Sequence, residues 1–198
     1  FMIAGLFILY RVSFESSFND FSGLNKITIL YGVTVVYLGP GSMMMHGTNT
    51  EWGGWADNLS MVMYIIIPWL YNLYRMSDWS VNTFLNVYVL IVIFYAVMRG
   101  LFGHGMGIGL DLFGVSIGLW VISEFLYRFW SPSMRFISGF VGFLVMMIFG
   151  IFPSEVFENI DQYWWIIFFW LPGLLANKKP NRSRTYTVSY THLRAHET

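Results

Sequence analysis

The chain contains no cysteine, and charged residues make up only 11% of its 198 positions. The missing cysteines exclude disulfide bonds and thiolate metal sites. Soluble domains carry about 25% charged residues, whereas this chain is 56% hydrophobic and has a mean hydropathy of +0.56. Its formal net charge is zero, which argues against nucleic acid as a partner. The composition therefore predicts a protein embedded in a lipid bilayer.

Features at both ends of the sequence predict that it is a fragment of a longer natural chain. The first residues, FMIAGLFILY, already belong to an apolar run, so we expect the natural N-terminus to lie upstream. The last residues, 187–198, read TVSYTHLRAHET and resemble a translated adapter of the kind used to prepare fragment libraries. We expect this tail to be non-native, so its pair His192 and His196 gives no support to a metal site. Residues 1–186 are predicted to form one polytopic membrane domain.

Seven apolar segments are candidate membrane spans, because a helix needs about 20 such residues to cross the hydrocarbon core. They are residues 1–10, 27–45, 59–74, 84–98, 108–127, 136–152 and 163–176. Tryptophan and tyrosine collect near their ends, as expected at the interface between membrane and water. The pattern predicts an all-α fold, a bundle of seven transmembrane helices.

The basic residues predict an orientation for this bundle. Nine of them follow the first, third, fifth and seventh spans: Arg11, Lys26, Arg75, Arg128, Arg135, Lys178, Lys179, Arg182 and Arg184. The opposite side carries Arg99 alone, once Arg194 of the tail is set aside. Because Lys and Arg accumulate on the cytoplasmic side of a membrane, the N-terminus is predicted outside and the C-terminus in the cytoplasm.

Three polar residues stand at the predicted outer ends of the second and third spans. Ser42 and His46 are four positions apart, which places both on one face of a helix, and Asp57 begins the next apolar run. Ionisable groups at a membrane helix end are costly to desolvate and are by default candidates for function. An imidazole can bind zinc, a carboxylate can exchange a proton with water, and a hydroxyl can stabilise an oxyanion.

Each of these residues also has a structural interpretation. His46 at a helix end can bond to Ser42 or to Asp57. Asp57 can be the N-cap of the third span, where Asp satisfies unpaired N–H groups. Ser42, beside Gly39 and Gly41, can be a small residue that lets two helices approach closely. Spacing alone leaves these alternatives open.

The pattern Ser42-x3-His46-x10-Asp57, followed by Leu59 and Met61, resembles the motif of the alkaline ceramidases. That family belongs to a wider group of seven-helix membrane hydrolases and receptors, which includes the adiponectin-receptor-like proteins. The resemblance implies that His46 is a zinc ligand and that Ser42 and Asp57 position or activate the zinc-bound water. It also implies a ceramide-type membrane lipid as substrate, cleaved to a long-chain base and a fatty acid.

One part of the family pattern is not found. The family completes its zinc site with a His-x3-His pair on the seventh helix, whereas residues 163–176 read YWWIIFFWLPGLLA. Either the counterpart of that helix lies beyond this chain, or the protein lacks the pair and is a non-catalytic seven-helix sensor or structural protein. Glu158 and Asp161 are candidate replacement ligands. A transporter would need matched Gly or Pro breaks in two repeated halves, which the sequence does not show.

Three further polar residues have mainly structural interpretations. His104 is predicted to be an interfacial loop histidine between the fourth and fifth spans. Asp111 is expected to cap the fifth span. Glu124 is expected to pair with Arg128, one helical turn later.

Overall fold

The computed structural model describes residues 1–14, 25–107, 110–148 and 160–180. In these ranges the chain forms seven α-helices, two 3-10 helices and no β-strand, so the predicted all-α class is confirmed. The α-helices are α1 Met2–Phe14, α2 Asn25–Thr48, α3 Glu51–Met76, α4 Val81–Phe102, α5 Leu112–Arg128, α6 Met134–Ile148 and α7 Leu171–Leu175. The 3-10 helices are His104–Gly107 and Ile160–Trp170.

Two of the helices are long and apolar enough to cross a membrane, by length and composition alone. They are Lys26–Thr48 within α2 and Val81–Phe102, which is α4. Shorter apolar helices are formed by Met2–Val12, Met134–Leu144 and Trp164–Leu175. The described residues thus contain two candidate membrane spans, and the predicted bundle of seven spans stays a prediction.

The centre of the fold is α3, in which 13 of the 26 residues are buried. It packs against α2, α4 and α5. Fully buried apolar side chains join three of these helices in one core, which includes Val62, Ile66, Leu70 and Leu73 of α3, Phe84 of α4, and Val115, Ile122 and Leu126 of α5. This packing fixes the positions of the polar residues that lie at the two ends of α3.

Helices α2 and α3 form a tight antiparallel hairpin. Asn49 follows α2 with a left-handed backbone, φ 48°, a conformation that asparagine tolerates better than most residues. Thr50 then caps α3, since its Oγ1 accepts a hydrogen bond of 3.1 Å from the Gly53 backbone N–H. Further along, the helices nearly touch at Gly41, where an added Cβ would lie 2.6 Å from Ser60 Oγ. A residue without a side chain allows this close approach.

The connections between helices fall at two ends of the bundle. The hairpin end contains the turn at Asn49 and Thr50, the end of α4 and the start of α5. The opposite end contains the turn from α3 to α4, the start of α6 and the end of α7. Asn72 and Ser123, bonded at 3.1 Å near the second end, show that α3 and α5 run in the same direction.

The seventh predicted span is not a regular α-helix. Residues Ile160–Trp170 form a 3-10 helix, and only Leu171–Leu175 are α-helical. Pro172 stands at this change and has no N–H to continue either hydrogen-bonding pattern. A 3-10 helix of 11 residues is uncommon. At its larger rise per residue, this helix and α7 together still extend about 30 Å, the thickness of a hydrocarbon core.

The turn after α3 holds the segment that follows α7. The backbone N–H groups of Asn177 and Lys178 donate to the Met76 carbonyl at 2.8 and 3.0 Å. Ser77 Oγ donates to the Leu175 carbonyl at 2.7 Å. Because the last carbonyls of a helix have no partners within it, these bonds complete the C-terminus of α3. We call this set of contacts the clip, and the end of the bundle that contains it the clip end.

Asp78 forms an exposed ion pair beside the clip. The Lys178 ammonium lies 2.8 Å from its carboxylate, and this hydrogen bond and positive charge hold the pKa of Asp78 below its usual value. A carboxyl with a lowered pKa stabilises the folded state above its unfolded pKa, and the contribution is lost as the pH falls through the folded pKa. We therefore expect Asp78→Asn to lower the thermal unfolding temperature in detergent at pH 7 and to have no effect at acid pH.

The expected shift is small, because both side chains are exposed and solvent screens the pair. Lys179→Gln is the matched control, since it removes an exposed cation next to Lys178 and leaves Asp78 paired. A loss of stability in Asp78→Asn that persists unchanged below the pKa of the carboxyl would contradict the electrostatic origin.

Candidate functional site

The structure places Ser42 and His46 in the last two turns of α2, at the hairpin end. Ser42 is half-buried and His46 is exposed. The two residues lie one turn apart on one side of a continuous helix, as their spacing predicts. Helix α2 continues to Thr48, three residues beyond the predicted end of the second span.

Asp57 lies inside α3 and does not cap it. The N-cap is Thr50, and α3 begins at Glu51, so Asp57 is in the second turn, roughly 9 Å along the helix axis. The interpretation of Asp57 as an N-cap is therefore wrong. Its half-buried carboxylate is not used to satisfy the start of the helix.

Tyr31 and Tyr64 show which faces of α2 and α3 meet. Their ring centroids are 5.7 Å apart and their hydroxyl oxygens 3.5 Å apart. Ser42 follows Tyr31 by eleven residues, about three helical turns, and Asp57 precedes Tyr64 by seven residues, about two turns. Ser42 and Asp57 therefore lie on the side of the hairpin that carries the two tyrosines.

Ser42 and Asp57 also stand at the same height in the hairpin. Ser42 directly follows Gly41, and Asp57 directly follows Ala56. Gly41 and Ala56 meet where the helices cross, since a Cβ added to Gly41 would lie 3.1 Å from the Ala56 carbonyl oxygen. His46 lies one turn closer to the hairpin end. Ser42 and Asp57 therefore flank one side of the seam where α2 and α3 pack, near the hairpin end. We call this side of the seam, with Ser42, His46 and Asp57, the polar groove.

The side chains of the polar groove do not bond to one another. Within the described ranges, no hydrogen bond joins the side chains of Ser42, His46 and Asp57. The neighbouring Ser60 Oγ donates to the backbone carbonyl of Asp57 at 2.7 Å, and the carboxylate itself has no partner in the described part of the chain. The groove therefore offers a hydroxyl and a carboxylate to an incoming molecule.

The described residues alone do not form a zinc site. A catalytic zinc usually has three protein ligands, and no group of three or more His, Cys, Asp or Glu side chains that could hold a metal occurs in the part of the chain that the structure describes. The two candidate replacement ligands, Glu158 and the side chain of Asp161, lie outside that part. The adapter-like tail, residues 187–198, lies outside it as well.

The remaining predicted residues have structural surroundings. Asp111 caps α5 as predicted, since its Oδ1 accepts a hydrogen bond of 3.1 Å from the Phe113 N–H. His104 is exposed in the first 3-10 helix. Glu124 accepts a hydrogen bond of 3.1 Å from Asn72 Nδ2, which links α5 to α3. The predicted pairing of Glu124 with Arg128 stays a prediction.

Two polar contacts between helices are missing from the sequence-based predictions. Asn72 is buried on α3, where its Nδ2 donates to Ser123 Oγ of α5. Trp55 Nε1 donates to the Ala96 carbonyl at 3.0 Å and fixes α4 beside the start of α3. An asparagine among apolar residues indicates a buried hydrogen-bond partner. The sequence does not say which helix supplies that partner.

The polar groove contains groups that suit amide hydrolysis. A carboxylate can take a proton from water and return it to a leaving nitrogen. A hydroxyl can donate a hydrogen bond to a developing oxyanion.

The sequence and the fold match no family model, no curated protein and no solved structure.

Proposed function

We propose that the chain is a polytopic membrane protein that crosses the bilayer seven times. The support is an apolar outer surface around a core that contains polar side chains. On α4, Leu90 is 71% and Leu101 is 72% exposed, whereas Ser116 and Ser123 of α5 are buried. An exposed apolar surface of this kind favours aggregation in water. In lipid it faces the hydrocarbon, while small polar residues pack between the helices.

We propose an orientation with the N-terminus outside and the C-terminus in the cytoplasm. Basic residues of the described ranges gather toward the clip end: Arg11, Lys26, Arg75, Arg128, Arg135, Lys178 and Lys179. The hairpin end carries Arg99, in the last turn of α4. Because positive residues accumulate on the cytoplasmic side, the clip end faces the cytoplasm and the polar groove the opposite side in this proposal.

Single cysteines can report this orientation, because the chain has none of its own. In bacterial cells that express the protein, we expect a membrane-impermeant maleimide to label Gly47→Cys in intact cells. We expect Lys179→Cys to be labelled only after the cells are opened. Both positions are exposed, and they lie at opposite ends of the bundle. The reverse pattern, or equal labelling of both variants in intact cells, would contradict the orientation.

We further propose that the polar groove has ceramidase-like activity, the hydrolysis of the amide bond of a ceramide-type lipid. The observation that carries this proposal is the common groove of Ser42 and Asp57, with His46 one turn away. The groove continues along half-buried residues of α3, spaced three and four positions apart: Met61, Tyr64, Pro68 and Tyr71. Residues at this spacing share one helix face, so a membrane lipid can reach the groove from within the bilayer.

The roles of the residues follow from their chemistry. Asp57 accepts a proton from the attacking water and returns it to the nitrogen as the carbon–nitrogen bond breaks. Ser42 donates a hydrogen bond to the oxygen of the tetrahedral intermediate. The resemblance to the ceramidases makes His46 a zinc ligand. Because the described residues do not complete a zinc site, the other ligands in this proposal come from outside the described ranges.

A non-catalytic membrane sensor or structural protein is the second candidate, and one observation favours it. His46 is exposed, and the described ranges contain no group of side chains that could hold a metal with it. In that case Ser42 and Asp57 contribute only to the packing and solvation of the hairpin.

Incubation of the purified natural full-length chain with ceramide in mixed micelles decides between the two candidates. We expect release of a long-chain base and a fatty acid in equal amounts, together with zinc retained by the purified protein. Release of neither product by zinc-supplemented protein would reject the hydrolase and leave the non-catalytic candidate.

A further inference from the structure

We propose that a cleft between α6 and α7 binds the phosphate group of an anionic phospholipid. The cleft has a volume of about 150 Å³ and is lined by Pro132, Arg135, Phe136, Trp170, Gly173 and Leu174. It lies at the clip end, beside the first turn of α6. The inference rests on the proposed membrane embedding and orientation, and it does not depend on the hydrolase activity.

Arg135 supplies the positive charge of the cleft. Its Nε donates to the Gly173 carbonyl at 3.0 Å and its Nη2 to the Leu174 carbonyl at 3.2 Å. These bonds use two of the five N–H donors of a guanidinium and hold its plane at the wall of the cleft. Within the described ranges, no carboxylate pairs with Arg135. The remaining donors are therefore available to phosphate oxygens, which the arginine fork matches in geometry.

The apolar walls of the cleft suit the upper part of a lipid chain. Phe136 is 69% and Leu174 is 72% exposed, although both are large apolar residues. Trp170 is half-buried and packs edge-on against Phe140, with ring centroids 4.8 Å apart. Tryptophan is enriched at the depth of the lipid headgroups. A phospholipid with its phosphate at Arg135 would lay its first methylene groups along these side chains.

The place of the cleft in the bundle favours an anionic lipid over a zwitterionic one. The clip end also carries Arg128, in the last turn of α5. Anionic lipids are concentrated in the cytoplasmic leaflet, and basic pockets between transmembrane helices on that side bind their headgroups. Ser131 and Ser133, whose Oγ atoms are 3.1 Å apart, add hydroxyl groups next to the start of α6.

Lipid retention by the purified full chain tests the site. The protein is equilibrated with equal amounts of phosphatidylglycerol and phosphatidylcholine in detergent, and the retained lipids are counted by native mass spectrometry. We expect wild type to retain phosphatidylglycerol in about fivefold excess, and Arg135→Gln to bring the ratio close to one. Lys179→Gln removes an exposed cation from the same end and is expected to keep the preference.

A second variant keeps the test valid if Arg135→Gln does not fold. Leu174→Trp fills the cleft and leaves the Arg135 bonds, which go to backbone carbonyls, so it should lower phosphatidylglycerol retention to a similar extent. An unchanged preference in Leu174→Trp, equal retention of both lipids by wild type, or displacement of the lipid by inorganic phosphate would overturn the proposal. Alkaline carbonate extraction tests membrane embedding separately. Protein that carbonate releases from the membranes would contradict the embedding and not the lipid site.

Discussion

Asp57→Asn is expected to lower the rate of lipid amide hydrolysis at least about a hundredfold, the usual contribution of a general acid or base. Asparagine keeps the size of the side chain and one of its oxygens, but it does not accept a proton at neutral pH. Because Thr50, and not Asp57, caps α3, the substitution leaves the start of the helix intact. Initial rates of fatty acid release over a range of ceramide concentrations should show the loss in kcat.

Matched substitutions separate this chemical role from a structural one. Glu51→Gln removes an exposed carboxylate from the first turn of the same helix and is expected to keep the activity. His46→Ala is expected to lose hydrolysis and bound zinc together, whereas His104→Ala, at another exposed position, keeps both. Full activity in Asp57→Asn would reject its role as proton carrier. Normal zinc content in His46→Ala would remove that residue from the metal site.

The apolar segments of the sequence predicted where the helices lie, but not where they end. The third span was expected from residue 59, whereas α3 begins at Glu51. The first two turns of α3, EWGGWADN, contain glycine and polar residues, which lower the local hydropathy. The start is determined by the side chain of Thr50, a local hydrogen bond that does not depend on apolar content. Hydropathy and capping therefore have to be combined to place Asp57 within a helix.

The seventh segment shows a different limit of sequence analysis. Residues 163–176 are so uniformly apolar and aromatic that no periodicity separates a 3-10 helix from an α-helix. Pro172 interrupts the hydrogen bonds, and Gly173 allows α7 to meet the backbone of Arg135. These close contacts come from α6, which is distant in the sequence. The pattern of one segment does not reveal them.

The candidate site was predictable only in part. Once α2 is known to be a helix, the four-residue spacing fixes Ser42 and His46 on one face. The relation of Asp57 to them depends on the turn at Asn49 and on the height at which α3 crosses α2. That height is set where Gly41 meets α3, a contact between distant residues that no local pattern contains.

Gly41→Ala is expected to destabilise the protein by about 1–3 kcal/mol, the usual cost of adding a methyl group to a close contact. The new Cβ would lie 2.6 Å from Ser60 Oγ and 2.7 Å from Ser60 Cβ, which is fixed to the backbone, so the two helices must move apart. In the same helix, a Cβ added to Gly47 would have no packed neighbour within 4 Å among the described residues, apart from the adjoining backbone of its own helix. Gly47→Ala should therefore stabilise the protein by up to about 1 kcal/mol, through the higher helix propensity of alanine. Unfolding in detergent, followed by circular dichroism, measures both effects.

The same pair of variants links the packing of the hairpin to its chemistry. Ser42 and Asp57 directly follow the residues of the crossing, so a wider crossing separates the hydroxyl from the carboxylate. A displacement of about 1 Å at a reacting centre can lower a rate a hundredfold. We therefore expect folded Gly41→Ala, assayed well below its unfolding temperature, to hydrolyse ceramide more slowly than Gly47→Ala. Equal rates in the two variants would mean that the distance between the helices does not control the reaction, and Ser42 would then lose its role beside Asp57.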